Sequence, residues 1–120
     1  MNYRSGVLVV LRFAVGDAEE ASFVPAAHEA MDALAQRPGY LGATLGRAYD
    51  DPGVWCLVTT WESVGAYRRA LGDYDVKLRG TPLLARALAE PSAFEPLAEA
   101  PPGGPVSTGA SDRAEIRSRP

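Results

Sequence analysis

The segment Ser5–Val15, SGVLVVLRFAV, determines which folds this chain can adopt. Side chains of a β-strand alternate between the two faces of a sheet. One face of this strand carries Val7, Val9, Leu11, Phe13 and Val15, and the other carries Leu8 and Val10 before Arg12 and Ala14. A small antiparallel sheet normally buries one face and exposes the other. A strand that is apolar on both faces therefore has to be buried on both.

A second segment of the same character lies further along the chain. VWCLVTTW, Val54–Trp61, is also apolar on both faces. It follows LGATLGRAY, Leu41–Tyr49, in which one side of the alternation holds only small residues, and the turn sequence DDPG, Asp50–Gly53. Two alternating runs joined by such a turn predict a β-hairpin.

Helices are predicted before and after this hairpin. The spacing of apolar residues predicts a helix from Asp17 to about Gln36, with Asp17 as N-cap and Glu20 completing a capping box. Ser63 is the predicted N-cap of a second helix, which GDYD interrupts. We expect a third helical piece over Thr81–Glu90, with Thr81 as N-cap, Pro82 at its first position, and a last strand over Pro91–Ala100.

The resulting order, β-α-β-β-α-β, is that of an α+β, ferredoxin-like fold with an antiparallel sheet. Its helices cover one face of the sheet, and its first and third strands are central. These are the two strands that are apolar on both faces, and each large apolar side chain left in water forgoes about 1.5–3 kcal/mol. We therefore predict a homodimer in which two sheets face each other, a dimeric α/β barrel.

Composition limits the other possibilities. The 120 residues suit one domain, residues 1–100, followed by a flexible tail rich in Pro, Gly and Ser, residues 101–120. A net charge of -3 without a basic run argues against nucleic acid as a partner. Cys56 is the single cysteine, and there is no stretch of the roughly 20 apolar residues that a membrane span needs. We expect a cytoplasmic protein without membrane contact, and no Cys/His spacing suggests a metal.

The central part of the chain resembles the antibiotic biosynthesis monooxygenase family of small dimeric α/β-barrel proteins. The resemblance rests on PGYLG at the start of the second strand, the DDPG turn, LVTTWES and AYRRAL, with TPLLARALAEPSAFE fitting the closing helix and strand. It covers about Val7 to Leu97 and implies the same fold and a homodimer.

The resemblance implies three kinds of activity. Some members oxidise polycyclic phenols, such as anthrones of polyketide pathways, to quinones without metal or flavin. Others bind and degrade haem, many have no known substrate, and related folds include polyketide cyclases. The alternative to an oxygenase is therefore a polyketide cyclase or a binding or accessory protein that uses the same cavity without chemistry. Haem-degrading members have an Asn on the first strand and a His ligand after the third, and this chain has neither; its only histidine is His28.

The aromatic-oxidising members are the better match, which implies a small aromatic metabolite as ligand and no cofactor. They carry a Trp at the end of the third strand and a Tyr six residues later, and Trp61 and Tyr67 have this spacing. They also use an Asn shortly before the Trp, where this chain has Leu57. Trp61 and Tyr67 are thus the candidate catalytic residues.

Each candidate also has a purely structural interpretation. Trp61 is either a wall and indole donor of a pocket or a core residue. Tyr67 either holds the substrate oxygen or packs beside Val64 and Leu71. The remaining candidates for the substrate pocket are Arg12, His28, Trp55 and Leu57. Arg12 could stabilise a phenolate or reach solvent, and His28 could act as a base or lie at the solvent edge of its helix.

Overall fold

A four-stranded antiparallel sheet with the order β2-β3-β1-β4 forms the base of the protein. The structure is a computed structural model that describes residues 6–109. The strands are β1 (Val7–Ala14), β2 (Tyr40–Arg47), β3 (Val54–Trp61) and β4 (Ala93–Phe94). The order places the two strands that are apolar on both faces at the centre, as predicted from the sequence. The ferredoxin-like fold class is thereby confirmed.

Three helices cover one face of the sheet: α1 (Glu20–Ala35), α2 (Val64–Gly72) and α3 (Tyr74–Leu84). The predicted cap of α2 is confirmed, because Ser63 Oγ accepts a hydrogen bond of 3.0 Å from the backbone N–H of Ala66. The start of α1 differs from the prediction. A 3₁₀ turn, Asp17–Glu19, precedes it, and Glu19, not Glu20, reaches back to accept from the backbone N–H of Gly16.

The third helix was predicted in the wrong place. Asp73 is its N-cap, accepting from the backbone N–H of Val76 at 3.2 Å, so GDYD starts α3 and does not merely interrupt a helix. Thr81 and Pro82 lie inside α3 near its end. A proline tolerated in the last turn was mistaken for one at the first position, because both are preceded by a potential capping residue.

Strand register arranges the helix-facing side chains of β1, β3 and β2 in four rows. From one end of the sheet to the other, these are Val7–Trp61–Tyr40, Val9–Thr59–Ala43, Leu11–Leu57–Leu45 and Phe13–Trp55–Arg47. A bulge in β2 between Tyr40 and Gly42 brings Tyr40 opposite Trp61. With a rise of about 3.3 Å per residue, the two tryptophans lie about 20 Å apart along β3.

Within residues 6–109, no helix lies on the opposite face of the sheet. Its central cross-strand pairs are Leu8–Thr60 and Val10–Val58, with Phe94 of β4 beside Leu8. The apolar members of these pairs are only partly buried. Toward β2 this face is lined by Gly42, Thr44 and Gly46, the small side of the alternation seen in the sequence. We call this surface the open face.

The C-terminal part of the chain departs from one predicted long strand. β4 is an edge strand of two residues, and Pro96 follows it. A separate two-stranded sheet then pairs β5 (Ala98–Glu99) with β6 (Ser107–Thr108), so its second strand falls in the predicted tail. Residues 110–120 of that tail lie outside the described residues. None of the helices in residues 6–109 has the length and apolar character required to span a membrane.

Candidate functional site

Trp61 is the centre of an aromatic group at one end of the sheet. It is 1% exposed and packs between Tyr40, at a ring distance of 5.5 Å, and Tyr67 of α2, at 5.7 Å. The turn before β2 allows this approach, since Gly39 has φ +87° and a side chain there would meet Ala66 at 2.5 Å. Trp61 and Tyr67, the two predicted catalytic residues, are thus brought together.

The indole of Trp61 is held by a neighbour that the sequence interpretation overlooked. Its Nε1 donates a hydrogen bond of 2.9 Å to Oγ1 of Thr59, and both residues are buried. Thr59 lies two residues before Trp61 on the same face of β3, so strand alternation alone could have pointed to it. The bond fixes the plane of the indole and occupies its donor.

Tyr67 combines an apolar environment with a hydroxyl that has no protein partner in residues 6–109. The ring packs against the cluster around Trp61 and is half-buried. Burial raises the pKa of the Tyr67 phenol, because the phenolate would lose solvation. The side chain of Tyr67 meets the described chain through its ring, and its backbone N–H donates to Ser63, so its hydroxyl is left to donate to a bound molecule. This is the group best suited to hold a substrate oxygen.

Trp55 and Leu57 do not join this group. Trp55 belongs to a second cluster at the other end of the sheet. There the Phe23 ring makes edge contacts with Phe13 at 5.1 Å and with Trp55 at 5.2 Å. Leu57 is fully buried in the row between the two tryptophans, beside Leu11 and Leu45. An asparagine at this position would place a polar group in the interior. Leucine instead makes the row between the two tryptophans apolar.

Arg12 lies on the open face, on the other side of the sheet from Trp61. Its guanidinium makes two hydrogen bonds to the Glu90 carboxylate, at 2.8 and 2.9 Å. The hydrogen bonds from Arg12 hold the pKa of Glu90 below its usual range. Arg12 is therefore placed to act at the open face and not beside Tyr67.

His28 is exposed on α1 and belongs to neither aromatic cluster. Within residues 6–109, no three His, Cys, Asp or Glu side chains lie together in a way that could hold a metal ion. Of the six candidates, the structure therefore assembles Trp61 with Tyr67, groups Trp55 with Leu57, and leaves Arg12 and His28 apart.

The sheet order and the helices on one face define a small α+β protein of the ferredoxin-like class. The model of the antibiotic biosynthesis monooxygenase family matches residues 6–76. The chain belongs to this family, as the resemblance predicted. No curated protein matches the chain significantly.

Solved structures share the fold of this chain. SnoaB, a cofactor-independent oxygenase from Streptomyces nogalater, is similar over 75% of this chain and 91% of its own, with 29% identity and a TM-score of 0.66. A putative antibiotic biosynthesis monooxygenase from Caulobacter crescentus is 21% identical, with 78% and 89% of the two chains covered and a TM-score of 0.63. One from Bordetella bronchiseptica is 20% identical over 77% and 95%, with a TM-score of 0.61.

Proposed function

We propose that this protein is a cofactor-independent monooxygenase that oxidises a polycyclic phenol or anthrone to a quinone. The observation that carries the proposal is the contact between the buried Trp61 ring and the ring of Tyr67, whose hydroxyl has no partner in the described chain. Membership of a monooxygenase family and the similarity to a cofactor-independent oxygenase support it.

The reaction needs little from the protein beyond positioning. An anthrone methylene loses two hydrogen atoms and gains one oxygen atom, and the second atom of O2 leaves as water. The substrate enolate supplies the first electron to O2, so the protein must favour the enolate and exclude water. Neutral Tyr67 would donate a hydrogen bond to the enolate oxygen, while Trp61 and Tyr40 would bound the ring system.

Thr59 has a positioning role in this scheme. Its hydrogen bond occupies the Trp61 N–H, so the indole acts as a wall and Tyr67 remains the donor. Relatives with an asparagine in place of Leu57 would have an additional polar group on the helix-facing side of β3, four residues before the tryptophan. We propose that this chain relies on the phenol alone, which favours substrates whose enolate is already stabilised by conjugation.

A homodimer is the proposed working form. The partly buried apolar pairs of the open face would be covered by the same surface of a second copy. The stripe of Gly42, Thr44 and Gly46 would let a partner approach closely. A chain with one cysteine, which cannot form an internal disulfide, fits the proposed cytoplasmic location.

Oxygen uptake with 1,8-dihydroxyanthrone, in the presence of a chelator, tests the proposal. The parent should consume one O2 per quinone formed, and Tyr67→Phe should retain a few per cent or less of this rate. Tyr74→Phe is the matched control, because Tyr74 is exposed on α3. If the parent binds the anthrone but takes up no oxygen above the buffer rate, the protein is a binding or accessory protein of the same fold.

A further inference from the structure

The second aromatic cluster ends at the surface in a charged pair that has the features of a closed ligand site. Arg47 lies over the Trp55 ring, with its guanidinium carbon 5.3 Å from the ring centroid. The same guanidinium pairs with the Glu20 carboxylate at 3.3 Å. One ion pair thus ties the end of β2 to the first turn of α1, and its arginine covers the Trp55 ring.

Trp55 has a polar group that the fold leaves unused. The residue is 8% exposed, yet its indole N–H has no hydrogen-bond partner among residues 6–109. Buried donors in folded proteins are nearly always paired, so an unpaired donor of this kind calls for an acceptor from outside the described chain. In contrast, the indole of Trp61 is satisfied by Thr59.

Open space adjoins the ion pair on each side. A depression of about 530 Å³ is lined by Arg47, together with Gly46, Ala48, Tyr49 and Pro52. Another of about 680 Å³ is lined by Glu20, together with Asp17, Ala21, Val24 and Pro25. The Tyr49 side chain is fully exposed in the first depression, which provides a free aromatic surface.

We propose that Arg47, Trp55 and Tyr49 form a second binding site, for a planar aromatic anion such as an aromatic carboxylate or phenolate. The ligand anion would replace Glu20 as the partner of Arg47. Its ring would lie against the Trp55 edge and Tyr49, and a ligand oxygen would accept from the Trp55 N–H. Exchange of partners is inexpensive, because both side chains of the ion pair are about half exposed, 46% and 45%.

This site is separate from the proposed oxygenation site. The two tryptophans are about 20 Å apart along β3, and the Leu11–Leu57–Leu45 row lies between them. The inference therefore does not rest on the proposed function, and binding at Arg47 can be measured whether or not the protein turns over a substrate. A site of this kind would suit a product or a pathway intermediate that carries an acidic group.

The test is equilibrium binding of anthracene-9-carboxylate, with the neutral 9-hydroxymethylanthracene for comparison. The parent should bind the anion saturably and more tightly than the neutral compound. Arg47→Gln should weaken binding of the anion about tenfold, the size of one charge-assisted hydrogen bond, and leave the neutral compound unchanged. Glu20→Gln should tighten binding of the anion, because the internal competitor for Arg47 is gone. Arg69→Gln, which removes an exposed arginine on α2, is the control for net charge.

The indole N–H resonances provide a readout that is independent of activity. With two tryptophans in the chain, a nitrogen-15 correlation spectrum has two indole signals, which Trp55→Phe assigns. The Trp55 signal should shift on addition of the anion. The proposal is overturned if the parent shows no saturable binding, if Arg47→Gln and Glu20→Gln move affinity in the same direction, or if only the Trp61 signal shifts. Arg47→Gln and Glu20→Gln alter partly exposed residues, so the binding test remains valid even if Trp55→Phe does not fold.

Discussion

The Nε1 of Trp61 donates a buried hydrogen bond of 2.9 Å to Oγ1 of Thr59, two residues earlier on the same strand. This bond satisfies a polar atom in the most buried part of the site and fixes the indole against Tyr40 and Tyr67. It couples the stability of the core to the geometry of the proposed active site, because the ring that would bound the substrate is also a core residue.

Thr59→Val should therefore destabilise the protein by about 1–3 kcal/mol, the cost of leaving a buried donor unpaired. Valine keeps the shape of threonine, so little packing is lost. Thr59→Ser retains the oxygen and is the matched control for the hydrogen bond. Urea unfolding followed by far-UV circular dichroism measures the difference. A Thr59→Val protein as stable as the parent would show that the bond contributes nothing.

Tyr67 yields a prediction on pH. Burial raises the pKa of its phenol above the ordinary value of about 10. We expect the activity difference between the parent and Tyr67→Phe to persist across the pH range in which free tyrosine keeps its proton, since the buried phenol loses its proton only at higher pH. Titration of the phenolate absorbance, parent minus Tyr67→Phe, should show this group ionising later than free tyrosine. An ionisation at or below the ordinary value would contradict the donor role.

The raised pKa of Tyr67 also predicts how the stability of the fold changes with pH. A phenol whose folded-state pKa is raised holds its proton more tightly in the folded protein than in the unfolded chain. Its contribution to stability is complete below the unfolded pKa and is lost as the pH rises through the folded pKa. Alkaline unfolding of the parent should thus begin at lower pH than that of Tyr67→Phe, once their stabilities at neutral pH are matched.

The open face provides a test of the homodimer. Val10 and Val58 lie directly opposite each other at its centre. Val58→Asp should convert a dimer to a monomer at micromolar concentration, because the face-to-face arrangement would bury two unpaired carboxylates. Leu78→Asp, at an exposed position on α3, should leave the dimer intact. Sedimentation velocity distinguishes the two, and a parent that sediments as a monomer would contradict the proposal.

The N-cap of α2 fixes the first turn of the helix, which carries Tyr67. Ser63 accepts from the backbone N–H of Ala66, the residue before Tyr67. Ser63→Ala should cost about 1 kcal/mol of stability, and Ser63→Asp should restore most of it. Thermal unfolding of the three proteins checks this order. If Ser63→Ala unfolds at the same temperature as the parent, the cap is not needed.

Much of the fold could be predicted from alternation in two segments. Strands β1 and β3 are apolar on both faces, and the ferredoxin-like order places them at the centre, as observed. The helix boundaries were less certain because several residues can serve as caps. Asp73 and Thr81 can both serve as caps, and the hydrogen bond from the backbone N–H of Val76 to Asp73 shows that α3 starts at the first of them.

The candidate site was predictable in its family residues but not in its surroundings. The resemblance to the family, in which a Trp and a Tyr have the same spacing, identified Trp61 and Tyr67 as a pair. Tyr40 was missed because simple alternation assigns it to the face of Gly42, and the bulge between them reverses this. The contacts of Arg47 could not be predicted from the sequence either. Glu20 and Trp55 lie beside Arg47 only because of the register of β2 and the position of α1.

The most direct test of the central claim, oxygenation without a cofactor, is the isotopic composition of the product. The purified, metal-free protein is given 1,8-dihydroxyanthrone under oxygen-18 gas in ordinary water, and the quinone is analysed by mass spectrometry. The account predicts that enzyme-dependent product carries one oxygen-18 atom, and that Tyr67→Phe forms almost none of it. A product whose new oxygen comes from water, or one formed only after a metal or flavin is added, would contradict the account.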